Sequence, residues 1–598
     1  MTASAGHPPK PPFTLAVGVT GHRSGRFAPG AAEQLAGEVG RLLDRLVERG
    51  REIARVDAAH FAPAEPRFLL LSALADGADQ IVAEAGLERG FELQAILPMP
   101  ADTYEQTLDG ERWTSAFRRL LEQAGRTLEI ESSHVEEGYW LAGRALVAHS
   151  DLLIALWDGE RGRGKGGTAD VVQWAIARGT PVLHLPLDPA LPPRLIWSPL
   201  DPATMSQDPE AMCSPLDDED LAAMLGAVAA PPPDPQERAF LDRFWTERRI
   251  RWHWRIDYPL LRALTGTRRL SPADISADRQ RRFNAREWSD YRAASQVGTG
   301  IHVGLGSLET IYDWVDTLAS HFAQAYRSGH IFNFAFAALS ILVGISGLTL
   351  PGGKLAMAGL EIGIVILILS NTSAGIRWRW HQRWLDYRQL AERLRPMRSL
   401  KLLGVASPDP PGDPAEPVAG RWIEWYAAAV WRSLGVPHGR LDTAASARLA
   451  TIIAGHELEP QIAYHRKLAA QSRRFDERLE LVSTLLFLGT VIACLTVLLG
   501  TIFLPGFVRS HSWYWGFIST GFPAIGAAIF GIRVQGDYGG TAIRSLGTAR
   551  QLRRIADALG EEPHLGRAAD LVEQAARVML ADLDSWKLIH EQHELSAG

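Results

Sequence analysis

Hydrophobic and polar positions divide the 598-residue chain into two unlike halves. The second half holds four apolar segments of 20 to 24 residues with almost no charge: 331–350, 355–376, 481–504 and 513–532. About 20 apolar residues cross the roughly 30 Å hydrocarbon layer of a bilayer, so each segment is long enough to span a membrane. Helices buried in a large soluble core are the alternative interpretation.

The four segments form two pairs, because only the short connections 351–354 and 505–512 separate the members of each pair. Each pair is therefore predicted to be a hairpin. Helical patterns precede and follow both pairs in the same order, which indicates a tandem duplication of the kind that often surrounds a transport pathway. Arginines concentrate at the open ends of the hairpins, so the positive-inside bias predicts that the N- and C-termini are cytoplasmic.

In the first half, apolar runs of strand length alternate with helical patterns. The runs TLAVGVTGHR (14–23), FELQAILPM (91–99) and DLLIALWDG (151–159) are typical of strands. Their alternation with helices indicates βαβ units. The predicted fold is an N-terminal α/β domain with a Rossmann-like parallel sheet, followed by an all-α membrane domain with four transmembrane helices in two hairpins.

Composition shifts suggest where the units begin and end. The segments 230–235 and 407–417 are rich in proline and are predicted to be loops. An arginine- and tryptophan-rich stretch at 238–259 is expected either at the membrane interface or in amphipathic helices packed on a neighbour. We divide the chain into a disordered tail at 1–12, an α/β domain at 13–190, a helical connecting region at 191–300, a first two-span unit at 301–404, a linker at 405–420 and a second two-span unit at 421–598 that ends in cytoplasmic helices.

Charge and cysteine content exclude several classes of protein. The formal net charge is −6, which argues against a general nucleic-acid binder. The only two cysteines, Cys213 and Cys494, are far apart in sequence, so a disulfide framework is excluded and a reducing compartment is expected. No metal-ligand spacing and no resident cofactor are indicated, and no catalytic triad or P-loop pattern is present.

The segment GRGKGGTADVV (162–172) contains four glycines directly before a helical pattern. A helix that begins after such a turn leaves bare amides, and these bind phosphate oxygens well. A glycine-rich surface turn is the alternative. Polar residues also follow the other predicted strands, and the carboxyl edge of an open α/β sheet is where ligands bind.

Together these strand ends predict a phosphate-binding site. Arg23 would supply a fixed charge, and Asp79 or Asp158 would accept ribose hydroxyls, although Asp79 could equally be a helix N-terminal residue and His22 could only orient the turn. The predicted nucleotide-binding residues are Thr20, Gly21, His22, Arg23, Asp76, Gly77, Asp79, Asp158, Gly159, Gly166, Gly167 and Thr168.

Two polar residues in the second apolar segment, Glu361 and Asn371, are candidates for lining a pore. A carboxylate about 9 Å into a span costs a few kcal/mol in lipid, so Glu361 is expected to face protein or water. A ring of Glu361 side chains in an oligomer would favour cations. The alternative is a residue that snorkels to the interface. Gly359 and Gly363 form a GxxxG spacing on the opposite helix face.

The motifs GVTGHR, ALADGAD and SDLLIALWDG with GKGGTADVVQWAIARGTPV resemble the SLOG superfamily, which includes DprA, the LOG phosphoribohydrolases and the ligand domain of melastatin-type TRP channels. The stretches WLDYRQLAERLR and MLADLDSWKLIHEQHEL are similar to SLATT two-span modules of bacterial conflict systems. The resemblance implies a homo-oligomeric effector in the bacterial inner membrane that senses a nucleotide second messenger or an NAD-derived ligand of ADP-ribose type.

One departure from the resemblance concerns catalysis. LOG enzymes carry a glutamate in a GGxGTxxE motif, whereas Val171 occupies that place here and Asp170 is displaced by one residue. Hydrolysis is therefore not expected to be efficient. Three hypotheses follow: a nucleotide-gated channel or pore of an antiphage system, a membrane-anchored nucleotide or NAD-derivative hydrolase, and a membrane scaffold that binds no ligand.

Overall fold

One mixed sheet organises the N-terminal part of the computed structural model, which describes residues 6–28, 30–160, 166–188, 190–197, 213–349, 353–408, 421–561 and 564–590. The elements of this part are β1 (Thr14–Gly21), α1 (Ala31–Val56), β2 (Arg67–Ser72), α2 (Ala78–Glu88), β3 (Glu92–Leu97), α3 (Ala101–Glu105), α4 (Glu111–Gln123), β4 (Arg126–Ile130), α5 (Val135–His149), β5 (Leu152–Trp157), α6 (Thr168–Ala177), β6 (Val182–Pro186), β7 (Arg194–Ile196) and β8 (Cys213–Pro215).

The strand order is β8-β7-β6-β5-β1-β2-β3-β4, and a ninth strand, β9 (Gly439–Leu441), pairs with β4 at the far edge. All neighbouring strands are parallel except β7, which is antiparallel to β6 and β8. The central strands are apolar on both faces because helices cover the sheet on both sides. The predicted α/β domain with a mostly parallel sheet is confirmed.

The second part is helical. Its elements are α7 (Asp218–Ala229), α8 (Pro235–Thr246), α9 (Asp257–Leu264), α10 (Ala277–Thr299), α11 (Leu305–Thr349), α12 (Lys354–Arg377), α13 (Trp380–Leu394), α14 (Met397–Leu403), α15 (Arg421–Leu434), α16 (Thr443–Ile453), α17 (Glu459–Phe503), α18 (Pro505–Ser510), α19 (Ser512–Gly536), α20 (Tyr538–Glu561) and α21 (Leu565–His590).

Among the described residues, four helices are long and apolar enough to cross a membrane. They cover residues 331–349, 355–376, 481–503 and 513–532 of the four apolar segments. These helices are α11, α12, α17 and α19. They pack side by side in the order α12, α11, α19, α17. Most of the apolar surface of α12 and α17 is exposed, which is the pattern of helices that contact lipid rather than a protein core. The chain is therefore a membrane-associated protein.

The helices that carry the candidate spans match in length in pairs. Helices α11 and α17 are both 45 residues long, and α12 and α19 have 24 and 25 residues. After α12 and again after α19, a single non-glycine residue adopts the left-handed conformation: Arg379 with φ 49° and Asp537 with φ 40°. A non-glycine residue rarely adopts a positive φ, so this shared break supports a tandem duplication.

The central segment returns to the sheet. Strand β9 extends the sheet beyond β4, and the preceding loop is fixed by Arg126, whose guanidinium donates to the carbonyls of Leu434 and Val436. Residues 409–420 of the predicted linker lie outside the described residues. Residues 421–441, which sequence patterns assign to the second two-span unit, thus contribute a helix and a strand to the α/β part.

The N-terminal tail requires a correction. The sequence predicts that residues 1–12 are disordered, and 1–5 lie outside the described residues. Pro8 and Pro9, however, are buried, and the Pro9 carbonyl accepts a hydrogen bond of 2.8 Å from the Tyr426 hydroxyl. The prolines are ordered because they pack on α15, a contact between residues about 400 positions apart that sequence patterns do not reveal.

Candidate nucleotide-binding site

A cavity of about 520 Å³ opens at the carboxyl ends of β1 and β5. These strands are neighbours in the sheet although three strands separate them in sequence, so the cavity lies at a topological switch point, the usual ligand site of open α/β sheets. It is walled by α5, by the start of α6 and by α3. Nine of the twelve predicted binding residues line it: Thr20, Gly21, His22, Arg23, Asp79, Asp158, Gly166, Gly167 and Thr168.

Arg23 is held in place at the cavity wall by three partners. Its Nη1 donates to Asp76 Oδ1 at 3.0 Å and to the Thr107 carbonyl at 2.8 Å, and its Nη2 donates to the Tyr139 hydroxyl at 2.8 Å. Burial lowers the pKa of Arg23, but the nearby tyrosine and aspartate side chains raise it above its usual value overall. The guanidinium is therefore a fixed positive charge, and its side chain remains 39% exposed.

Two predicted residues, Asp76 and Gly77, shape the cavity from behind. Asp76 is buried, and its Oδ2 accepts hydrogen bonds from the Ser24 amide (3.2 Å) and the Ser24 hydroxyl (2.7 Å). Gly77 has φ 99°, and a Cβ there would lie 2.6 Å from the Ser24 nitrogen. Both residues thus fix the loop that carries Arg23 rather than line the cavity.

The N-terminus of α6 faces the cavity without a side-chain cap. Gly167 is the N-cap residue, and its carbonyl accepts from the Asp170 and Val171 amides, which leaves the Thr168 and Ala169 amides at the open end of the helix. Gly166 has φ 81°, and a Cβ there would lie 2.6 Å from the Trp140 nitrogen. Such a helix end binds anions. Residues 162–165 of the glycine-rich segment lie outside the described residues.

His22 and Asp158 are in contact on the β5 side of the cavity. His22 Nε2 lies 3.0 Å from Asp158 Oδ2. Partial burial raises the pKa of Asp158, whereas the contact with His22 and the hydrogen bond from the Glu160 amide lower it. These two interactions outweigh the burial, so the pKa lies below its usual value. Asp158 is thus an anion that can accept hydrogen bonds. Gly159 follows in a turn with φ 82° and does not line the cavity.

Asp79 and Tyr104 lie at the buried end of the cavity. Burial raises the pKa of Asp79 to about 7, because it outweighs the hydrogen bond from the Ala75 amide and the charge of Arg23, both of which lower the pKa. The Tyr104 side chain is 0% exposed, and no partner for its hydroxyl is present among the described residues. An unpaired buried hydroxyl is costly, so Tyr104 is suited to bond a ligand. Sequence reasoning missed Tyr104 and Tyr139, because only the fold brings their helices to this edge.

Val171 and Asp170 lie at the start of α6 and face different cavities. Val171 is buried and lines the cavity. Asp170 lines a separate cavity beside Trp174, and its Oδ2 accepts the Gly166 amide at 2.8 Å. The Asp170 carboxylate therefore stabilises the turn before α6 and does not line the candidate ligand site.

Comparisons of the chain with protein-family models, curated proteins and solved structures found no match. The chemistry of the cavity must therefore be judged from its own residues. A fixed guanidinium and an uncapped helix N-terminus suit phosphate oxygens, while Asp158 and Asp79 suit hydroxyl groups. The arrangement fits a ligand that carries both a phosphate and hydroxyl groups.

The two pore candidates lie between α11 and α12. The carboxylate of Glu361 faces Gly344, where a Cβ would approach its Oε2 to 3.3 Å. Asn371 Nδ2 donates to the carbonyl of Gly329 (3.0 Å) and to Asn333 Oδ1 (2.7 Å), and its Oδ1 accepts from Arg255. Within one chain, Asn371 thus joins α12 to α11 and to the connecting region.

Proposed function

We propose that this protein is a nucleotide-sensing membrane effector, in which a ligand bound at the α/β domain gates an ion channel or pore built from two hairpins. In this proposal the protein is a homo-oligomer of a bacterial inner membrane, with both termini cytoplasmic, and belongs to an antiphage signalling system. The cavity between β1 and β5 is the observation that carries the proposal, because it combines a fixed arginine, an uncapped helix and carboxylates that can accept hydroxyl groups.

The size and polarity of the cavity support a nucleotide or an ADP-ribose derivative. Its volume of about 520 Å³ falls in the range of small-molecule sites. Arg23 and the α6 amides would bind phosphate, Asp158 and Asp79 would accept ribose hydroxyls, and the Tyr104 hydroxyl would gain the partner it lacks among the described residues. In a scaffold that binds no ligand, buried polar groups would be expected to bond one another rather than to face a shared cavity.

A continuous series of contacts from α5 and α6, through α21 and α20, to the candidate span α17 supports gating. Arg144 of α5 and Arg178, which caps the C-terminus of α6, both contact the buried carboxylate of Glu573 on α21, at 3.2 Å and 2.9 Å. Helix α21 packs on α20, which packs along α17, one of the four candidate spans. A ligand that draws α5 and α6 together would act on α21, to the extent that its affinity differs between the closed and open states.

Ion flux through liposomes tests the proposal. The full-length protein is reconstituted in liposomes that contain a fluorescent ion reporter, and a panel of nucleotides, ADP-ribose derivatives and cyclic oligonucleotides is added. Flux that requires one ligand is expected. The flux should be lost in Arg23→Ala and in Gly167→Asp, because the second variant places a carboxylate at the phosphate site. It should be retained in the control Arg45→Ala, which removes an arginine of α1 that pairs with Asp218.

Chromatography of the ligand after the flux measurement separates the alternatives. An intact ligand is expected, because Val171 occupies the place of the catalytic glutamate. Consumption of the ligand without flux would instead indicate a membrane-anchored nucleotide or NAD-derivative hydrolase. Asp79 and Asp158, whose carboxyl groups line the cavity, would then be the candidate catalytic residues. Neither binding nor flux for any member of the panel would favour a scaffold.

A further inference from the structure

Helix α9 exposes two of its three leucines and buries an arginine, the reverse of what is expected on the surface of a soluble protein. Leu260 and Leu264 are 42% and 76% exposed, whereas Arg262 is 7% exposed. The Arg262 guanidinium donates to Gln471 Oε1 at 2.8 Å and lies over the Tyr258 ring. An exposed apolar face of this kind is typical of a surface that contacts another protein or a membrane.

The contacts on the inner side of α9 show where it lies along the candidate spans. Tyr258 and Leu261 pack against a cluster that includes Ile331 and Leu479. Ile331 begins the apolar segment of α11, and Leu479 lies two residues before that of α17. The Tyr258 amide also donates to the Ser328 hydroxyl at 3.1 Å. Helix α9 therefore packs against the middle of α11 and α17, at the level where their apolar segments begin.

The residues that flank α9 have the composition of a membrane interface. Trp252, Trp254 and Trp378 are each more than half exposed, and tryptophan is enriched where bilayer and water meet. Trp254 packs on Trp380, which begins the helix after α12, with ring centroids 5.4 Å apart. Between residues 248 and 282 the chain has ten arginines and three aspartates, and no lysine or glutamate. Such a positive segment is attracted to anionic lipid.

We propose that α9, with Trp252 and Trp254, is an interfacial anchor that lies in the headgroup layer of an anionic bilayer, on the side of the α/β domain. Leu260 and Leu264 would enter the upper acyl chains, and the surrounding arginines would bind lipid phosphates. A second copy of the chain is a less suitable cover for this surface, because it would bring two segments with the same strong positive charge together. The anchor does not depend on what the cavity binds.

Labels at single cysteines test this location. Leu264→Cys is made in a Cys213→Ser/Cys494→Ser background and carries an environment-sensitive fluorophore. Two matched positions bracket it. The first is Val135→Cys in the same background, at an exposed apolar residue of the α/β domain. The second is the native Cys494 in a Cys213→Ser protein, an exposed residue in the middle of the third candidate span. The full-length proteins are placed in vesicles of phosphatidylcholine and phosphatidylglycerol.

Quenchers at different depths then locate each label. At position 264 we expect the strongest loss of fluorescence with lipid that carries a nitroxide near the headgroup, and little loss with aqueous iodide. The Cys494 label should respond most to a nitroxide deep in the acyl chains, and the Val135 label to iodide alone. The anchor would be disproved by a position 264 label that follows the Val135 pattern, or by one that no quencher reaches, which would indicate cover by a second copy.

Discussion

At the scale of single residues, Arg23 is the side chain on which ligand affinity should depend most. It is already oriented by Asp76, Thr107 and Tyr139, so binding a phosphate costs little additional ordering. A hydrogen bond to a charged group contributes about 1.5–3 kcal/mol, so Arg23→Ala should weaken the binding of a responsive nucleotide by about 10- to 100-fold. Isothermal titration of the purified protein measures this change, and equal affinity of the variant would remove Arg23 from the site.

Asp79 should make the stability of the protein depend on pH. Burial raises its pKa from 3.8 to about 7, so between these values the folded chain keeps a proton that the unfolded chain releases. The free energy of unfolding should therefore fall as pH rises from about 4 to 7, at up to about 1.4 kcal/mol per unit of pH, and then level off. The Asp79→Asn variant lacks this titration.

Thermal unfolding at a series of pH values checks the prediction. The melting temperature of the wild type, relative to that of Asp79→Asn, should decline from about pH 4.5 to about pH 7 and stay constant above it. Taking the difference between the two proteins cancels the other titrating groups. Curves that run parallel over the whole range would mean that Asp79 is already ionised in the folded state.

The candidate site was predictable wherever a residue stands at the end of a strand. His22, Arg23 and Asp158 follow apolar runs directly, and parallel strands bring such ends to one edge. Tyr104 and Tyr139 were not predictable, because they lie on helices whose sequences carry no motif and which reach the cavity only through tertiary packing. The function of Asp76 was also missed, because its partners are Arg23 and Ser24 about 50 residues away.

At the scale of elements, Glu573 should stabilise the contact between the α/β domain and the C-terminal helices. Its carboxylate is 4% exposed and contacts Arg144, Arg178 and the Ser407 amide. Glu573→Gln removes the negative charge that balances the buried guanidinium groups of Arg144 and Arg178. The substitution should therefore lower the free energy of unfolding by about 3 kcal/mol and reduce the melting temperature by several degrees.

An exposed ion pair provides the matched control. Glu131 on the β4 side contacts Arg440 of β9, and both side chains are more than a third exposed. Glu131→Gln should hardly change the melting temperature, since exposed pairs are screened by water. If both variants melt like the wild type, the cluster around Glu573 does not contribute to stability, and its place in the proposed gating path would have to be abandoned.

The elements themselves were predictable to different degrees. The four candidate spans follow from composition alone, because a bilayer demands long apolar helices. Strand β9 could not be foreseen: it is three residues long, and its pairing with β4 joins positions some 310 residues apart. The reversed amphipathic pattern of α9 becomes meaningful only when the packing shows that Arg262 faces inward.

At the scale of the whole molecule, the arrangement of the spans bears on the number of subunits. Within one chain the four helices pack in a row, with α12 and α17 at its ends, so in our proposal a pore needs further copies. On α12, a Cβ added to Gly359 or Gly363 would have no neighbouring element within 4 Å among the described residues, whereas the carboxylate of Glu361 faces α11. Such a GxxxG face is suited to close helix packing against a neighbouring subunit.

A bulky substitution on this face should therefore weaken assembly. Gly359→Leu/Gly363→Leu is expected to lower the apparent mass in mild detergent, measured by light scattering, because the side chains keep the neighbouring helix at a distance. Gly516→Leu is the control, since Gly516 also lies in a span with open space around it but outside a GxxxG spacing. An unchanged mass of the double variant would exclude this face of α12 from the interface, and loss of mass in both variants would point to a general effect of leucine on the bundle.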